Sequence, residues 1–358
     1  SMLLLLTAPL AFLMVPGMLI TALRANAWIG ILLSIIPALL LIVMYSYILK
    51  KSTRPFPLLL EEHFSSPLGR MLGFFYAFFF LVIASITLRI FMDFIETNVL
   101  PGTPISIFIA VILIIGFMAI KSGLQVIARV SEIMVIIGLV FSILVVSIGI
   151  FKNFNLGNLL PLGNITPASL AAGTIYAFFI VTKAFAVLTL AFFTDDKNKT
   201  APVLIKVTLW YLFMLLLPTI AILLSFGADI SNLFSFPTFS LVRSISIGQF
   251  IKNIDIIFIG VWIMGIFGTV TLLWFMFCYT MQQVFRLKEH RFLAAPSALL
   301  IGFGAIHIAP NITVVDMIYS QILPVLYSLF FVFIPLVMFG ITLFKTNPET
   351  DRPEVENA

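Results

Sequence analysis

The sequence predicts an all-α polytopic membrane protein of about ten transmembrane helices, and three observations carry that prediction. The chain has 358 residues, of which 61% are hydrophobic and only 10% charged, with a mean hydropathy of +1.19. A soluble globular chain is about half apolar and a quarter charged, so a soluble fold is excluded. Apolar runs long enough to cross a bilayer recur along the whole length. They are continuous rather than alternating, which selects helices over a closed barrel; in hydrocarbon only these two satisfy their own backbone groups.

Taken in order, the first span is 2–22, an apolar run without charge that ends before Arg24; the second, 27–49, stops at Lys50 and Lys51. Residues 55–70 set Leu58 to Leu60 and Phe64 among polar neighbours, which suits a short interfacial helix. Spans at 72–98, 104–120 and 126–151 complete a first group of five. The second group reads 168–192, 201–225, 254–284, 293–310 and 318–345; the connection 226–253 is partly helical around SLVRSISIGQFIKN. Residues 1–345 thus form a single integral membrane domain, and 346–358 a polar tail.

Cytoplasmic loops carry the excess of Lys and Arg. With the N-terminus inside, fourteen of the 20 basic residues fall on the cytoplasmic side. Arg24, Lys152, Arg243 and Lys252 fall opposite, and Arg89 and Lys183 lie within spans. Both termini are therefore expected in the cytoplasm, with the tail. A rival reading of the start, a signal peptide cleaved near ALRANA, lacks a basic leading region and breaks this charge asymmetry. The abrupt apolar start instead predicts a preceding cytoplasmic segment, with Ser1 before Met2 a cloning remnant.

Other function classes find no support. The one cysteine, Cys278, has no partner for a disulfide, and His63, His290 and His307 are scattered without metal-ligand spacing. No phosphate-binding loop, nucleophile elbow or dinucleotide fingerprint is present, so the chain is read as no enzyme, with no cofactor and no metal. The net charge of +5 resides mainly in short loops, where it sets orientation rather than binding nucleic acid.

Five spans per half force the halves, 2–151 and 168–345, into opposite orientation. In such inverted repeats the first helix of each half is often broken at the midplane to form a site. In LLLLTAPLAFLMVPGMLITA, Pro9 lies near mid-depth and Pro16-Gly17 further out; each proline removes a donor and frees a carbonyl. The competing reading is a simple kink. The sixth span holds Lys183 near the middle of the hydrocarbon, where an ammonium is expensive and marks a functional site by default. The competing reading is a lysine that snorkels or pairs with a neighbouring helix. On the functional reading, Thr182 and Lys183 lie at a helix break opposite Thr7 to Leu10. There the amine holds a ligand carboxylate or stands in for a coupling cation. Tyr76, Ser85, Trp262, Gly265, Gly268 and Thr269 are candidate cavity walls or, alternatively, packing contacts. Arg89, with Asp93 one turn on and Glu96 two turns on, is read as a structural ion pair rather than a gate.

The stretches FPTFSLVRSISIGQFIKNIDIIFIGVWIMGIF (236–267), TLRIFMDFIETNVLPGTP (87–104) and NAWIGILLS (26–34) resemble the B subunits of spore germinant receptors, the GerAB type. That group is similar to amino acid, polyamine and organocation transporters with a LeuT-type 5+5 inverted repeat and broken first and sixth helices. The resemblance implies a protein of the spore inner membrane that works with A and C partner subunits, senses a small nutrient such as an amino acid and triggers germination. It also implies a ligand between the broken first and sixth spans, held by Thr7, Ala8, Pro9 and Leu10 with Phe178, Phe179, Thr182 and Lys183, and with the third and eighth spans as walls. The first break departs from the superfamily pattern, having TAPLA in place of a glycine-rich run. The alternative within the same architecture is a secondary amino-acid transporter or ion conduit.

Overall fold

The computed structural model describes residues 1–51, 54–152, 154–160, 163, 165–193, 199–245 and 254–344, and among these there is no strand. The tail at 346–358, most of 240–253, and the loop charges Lys197, Lys252, Lys345 and Arg352 lie outside the described residues.

Helix occupies all ten expected segments. The first is α1 (Met2–Leu13) followed by α2 (Val15–Leu23), and the second is α3 (Ala27–Leu33) followed by α4 (Ile35–Lys51). Arg24, at φ 56°, turns the chain between them through a three-residue 3₁₀ turn. The interfacial helix is α5 (Phe56–Phe64), after which come α6 (Ser66–Asn98), α7 (Ile105–Ser122) and α8 (Leu124–Lys152). The sixth segment is α9 (Pro167–Val181), a 3₁₀ stretch at Thr182–Ala186 and α10 (Val187–Leu190). Then follow α11 (Thr200–Ser231), α12 (Pro237–Ser244), α13 (Ile254–Phe285) and α14 (Ala294–His307). The last segment is α15 (Ile312–Met317), α16 (Leu323–Ser328) and α17 (Ile334–Phe344), joined by π-helical turns at Ile318–Ile322 and Leu329–Phe333.

Among the described residues, six helical stretches are long and apolar enough to cross a membrane, and Met2–Leu13, Ser106–Ser122, Pro167–Phe179 and Arg291–His307 are shorter apolar helices. The outer faces bear large apolar side chains, with Leu40 69% and Ile114 and Val140 62% exposed. Contiguous apolar faces of this kind are unsuited to water and suited to lipid, and the chain is a multi-pass membrane protein.

The centre is built by α6 and α13, which pack along each other beside α1. Aromatic rings fill the seam: Trp262 of α13 meets Phe94 of α6 at 4.5 Å and Phe91 at 5.7 Å between centroids, and Phe94 also meets Phe239 of α12 at 5.0 Å. Glycine lets α1 approach α13, because a Cβ on Gly268 would stand 2.4 Å from Leu5 and one on Gly265 2.9 Å from Pro9. At the other end, Gly227 at φ 72° kinks α11, and the Leu224 carbonyl beside the kink is met by the Asn155 backbone N–H at 3.2 Å and the Asn158 side-chain amide at 3.1 Å.

Prolines shape the first and last segments, and their missing donors are replaced from elsewhere in the fold. A proline at position i leaves the carbonyl at i−4 without its helical donor. Pro9 thus frees Leu5, and the Thr269 hydroxyl of α13 donates to that carbonyl at 2.6 Å. Pro16 frees Phe12, to which Thr238 of α12 donates at 2.7 Å. Pro335 frees Phe331 in the α register and Phe330 in the π register; the hydroxyls of Tyr45 and Tyr76 donate to these two, the first at 2.9 Å. Irregular backbone inside a membrane protein persists where protein groups satisfy it.

Candidate functional site

Lys183 sits where α9 gives way to 3₁₀ geometry. The α-helix ends at Val181, and Thr182 and Lys183 open the tighter stretch, so the break expected in the sixth span falls on the expected residues. The Thr182 hydroxyl turns back to donate to the Phe179 carbonyl. The broken stretch packs directly on α1, on α11 and on the π-helical turn Leu329–Phe333. Lys183 is 6% exposed, and its Nζ lies 5.5 Å from the centroid of the Tyr319 ring and 5.4 Å from that of Tyr327. Ammonium over an aromatic face is a favourable but partial replacement for water.

The first span departs from expectation. Helix α1 runs unbroken through Thr7 to Leu10 with Pro9 inside it, and the interruption comes at Met14, between α1 and α2. The physical reason is the Thr269 hydroxyl, which repairs the ladder at Leu5 and leaves no free carbonyl there for a ligand. Thr7 is fully buried and donates to the Leu3 and Leu4 carbonyls of its own helix, and Leu10 is in the core. Phe178 and Phe179 pair with each other at 5.7 Å.

A small cavity of about 70 Å³ lies between α1, α8, α11 and α13. Ala8, Pro9, Trp262 and Gly265 line it, as do Phe12, Met134, Phe258 and other apolar side chains. The Trp262 indole N–H donates to the Pro9 carbonyl at 3.0 Å, so the wall here is held by polar contacts and faces inward as hydrocarbon. Thr7, Leu10, Phe178, Phe179, Thr182 and Lys183 do not line it. Of the remaining candidate walls, Tyr76, Ser85 and Thr269 take the packing alternative and do not line this cavity. Tyr76 lies edge-on to Phe56 at 4.8 Å and bonds the Phe330 carbonyl. Ser85 fills the close approach of α14 at Gly304, and Thr269 bonds Leu5 and Gly265. Gly268 admits Leu5 and also lines a separate cavity of about 340 Å³ between α7, α8 and α13.

A larger vestibule of about 710 Å³ opens at the end of the molecule that holds Thr21, Asn232, Asp316 and Ser320. Tyr176 forms part of its wall, its hydroxyl donating to the Met18 sulfur at 2.8 Å. Arg24 and Asp229 pair near this end, and Thr21 donates to Asn232 at 2.9 Å, joining α2 to the end of α11.

Arg89 and Asp93 form the expected pair, with two nitrogens at 3.1 Å from the two carboxylate oxygens and side chains 10% and 7% exposed. Arg89 also donates to the Ile306 carbonyl at 3.3 Å, tying α6 to the end of α14, while Glu96 is exposed.

With this geometry in view, comparison with known proteins decides the family. Residues 1–313 match the profile of the spore germination proteins. The chain belongs to that family. This spore germination protein is 28% identical over 297 residues to spore germination protein KB of Bacillus subtilis, covering 80% of this chain and 78% of that protein. It is 28% identical over 262 residues to the putative spore germination protein YfkT of the same organism, covering 69% and 68%. It is 25% identical over 335 residues to spore germination protein XB of Bacillus anthracis, covering 89% and 86%.

The reading from sequence missed the tyrosines around Lys183. Tyr319 and Tyr327 belong to the last span, in IYSQILPVLYSLFF (318–331), where hydroxyl-bearing residues recur inside an apolar run that Pro324 and Pro335 interrupt. Polar groups within a span were the available signal.

Proposed function

We propose that this spore germination protein is the nutrient-sensing subunit of a germinant receptor in the spore inner membrane. It binds a small nutrient such as an amino acid at mid-depth, between the first and sixth spans, and triggers germination together with A and C partner subunits. The proposal includes ten spans arranged as two inverted five-helix halves, 2–151 and 168–345, in a LeuT-type fold with both termini cytoplasmic. The observation that carries it is Lys183: a buried ammonium at a helix break that packs on α1, in a chain of this family. Burying a cation without an anionic partner is costly, so it is retained for a ligand or a switch. Ligand binding then shifts the population between two packings of the halves, which the partners read.

The test is the nutrient response of spores carrying Lys183→Met. Insertion and abundance are expected to be unchanged while the dose of nutrient needed for germination rises or the response vanishes. A response with unaltered dose dependence overturns the assignment of Lys183.

The second reading, a secondary transporter or ion conduit, is favoured by the vestibule at one end of the molecule, since alternating access needs such a mouth. Uptake of labelled nutrient by the purified chain in vesicles would establish transport.

A further inference from the structure

Among the described residues, hydroxyl groups without a hydrogen-bond partner gather near Lys183. Tyr319 and Tyr327, whose rings flank the ammonium, are 2% and 1% exposed. Among the described residues their hydroxyls are fully shielded from solvent and have no hydrogen-bond partner, and the same is true of Thr208 and Tyr211, one turn apart on α11, which packs on the broken stretch. Tyr176, Tyr211, Tyr319 and Tyr327 lie within electrostatic range of one another. Among the described residues no carboxylate pairs with Lys183. An unpaired buried hydroxyl costs on the order of 1–3 kcal/mol, and a buried cation more. A group of such hydroxyls beside a cation, with no acceptor among them stronger than a hydroxyl, is complementary to an anion.

We propose that Lys183, Tyr319 and Tyr327 form a carboxylate-binding subsite, completed by Tyr211 and Thr208, that takes the carboxylate of a free amino acid. This rests on the sensing reading and deepens it by assigning the ligand's anionic end to the last span. The vestibule is the way in. Tyr176 stands in its wall two turns before Lys183 along the same segment, and Asp316 stands there one turn before Tyr319. A carboxylate at the mouth repels simple anions and tolerates a zwitterion, which favours an amino acid over a halide. Tyr319 lies within the π-helical turn Ile318–Ile322, whose extra residue per turn rotates the face on which Tyr327 of α16 then follows.

The experiment is thermal unfolding of the full purified chain in detergent at constant ionic strength, titrated with glycine, L-alanine and L-leucine, with their methyl esters, and with sodium acetate and sodium chloride. A compound that binds the folded state raises the midpoint with dose. At least one amino acid is expected to do so and its ester to fail. Tyr319→Phe and Tyr327→Phe keep the ring and the packing, and each is expected to raise the half-saturating concentration about tenfold, while Lys183→Met abolishes the shift. Equal potency of acid and ester, unchanged midpoints in both tyrosine variants, or no shift with any compound overturns the subsite. A shift with chloride alone, lost in the variants, overturns the amino acid as occupant and leaves an inorganic anion in its place. Failure of the sensing reading looks different: the purified chain keeps its tyrosine-dependent shift while Lys183→Met spores still germinate normally.

Discussion

Single residues decide where charge is tolerated in this molecule. Arg89 and Asp93 neutralise each other in a nearly dry seam, and Arg89→Ala leaves the carboxylate without its cation. Breaking a buried pair costs about 3–5 kcal/mol, so a marked fall in folded yield on size-exclusion chromatography is expected, with Arg89→Ala/Asp93→Ala recovering part of it. Normal yield with altered nutrient specificity would instead make the pair part of the binding machinery. His290 lies in the loop after α13, its ring 5.2 Å from Phe275 and its Nε2 buried without a partner. Burial, and then the Arg291 guanidinium, hold its pKa below the ordinary histidine range. The unfolded chain therefore binds the proton first as pH falls, so stability is complete above about pH 6.5 and declines through and below it. Melting midpoints from pH 8 to 5 are expected to fall in the parent and to flatten in His290→Gln. The Arg89 pairing was legible from its spacing to Asp93, because residues four apart share a helix face. The partnership of Lys183 with Tyr319 was hidden, because 136 residues of chain separate them.

At the scale of elements, prolines and hydroxyls work as pairs. Thr269→Val removes the donor from the Leu5 carbonyl while keeping the shape of the side chain, and a loss of about 1–3 kcal/mol is expected. Pro9→Ala restores a backbone N–H to the same carbonyl, so in that background Thr269→Val is expected to cost far less. A double-mutant cycle measured by denaturation reads the coupling, and additive effects would mean that the hydroxyl does not serve the proline's vacancy. Gly268→Ala presses a methyl group against Leu5 and is expected to lower the melting midpoint; Leu5→Ala beside it relieves the clash. The prolines were visible in the sequence as sites of lost donors. Their consequence for α1 was not, because whether a freed carbonyl breaks a helix depends on a donor arriving from α13.

For the whole molecule, sensing and transport predict different behaviour in vesicles. Vesicles containing the purified chain alone are expected to show no uptake of the amino acid that stabilises it; uptake dependent on Lys183 would favour the transport reading. Legible in the sequence alone were the membrane environment, the positions of the apolar helical segments and the family. The first two follow from local composition and from the free energy of placing each run in hydrocarbon, and the family from the resemblance of particular stretches. Tertiary structure alone decided that α1 is continuous through Thr7 to Leu10, that Tyr76 and Ser85 are packing contacts, and that two tyrosines of the last span flank the buried ammonium. Those outcomes depend on which distant side chains are brought within hydrogen-bonding reach, and helical periodicity carries no information about that.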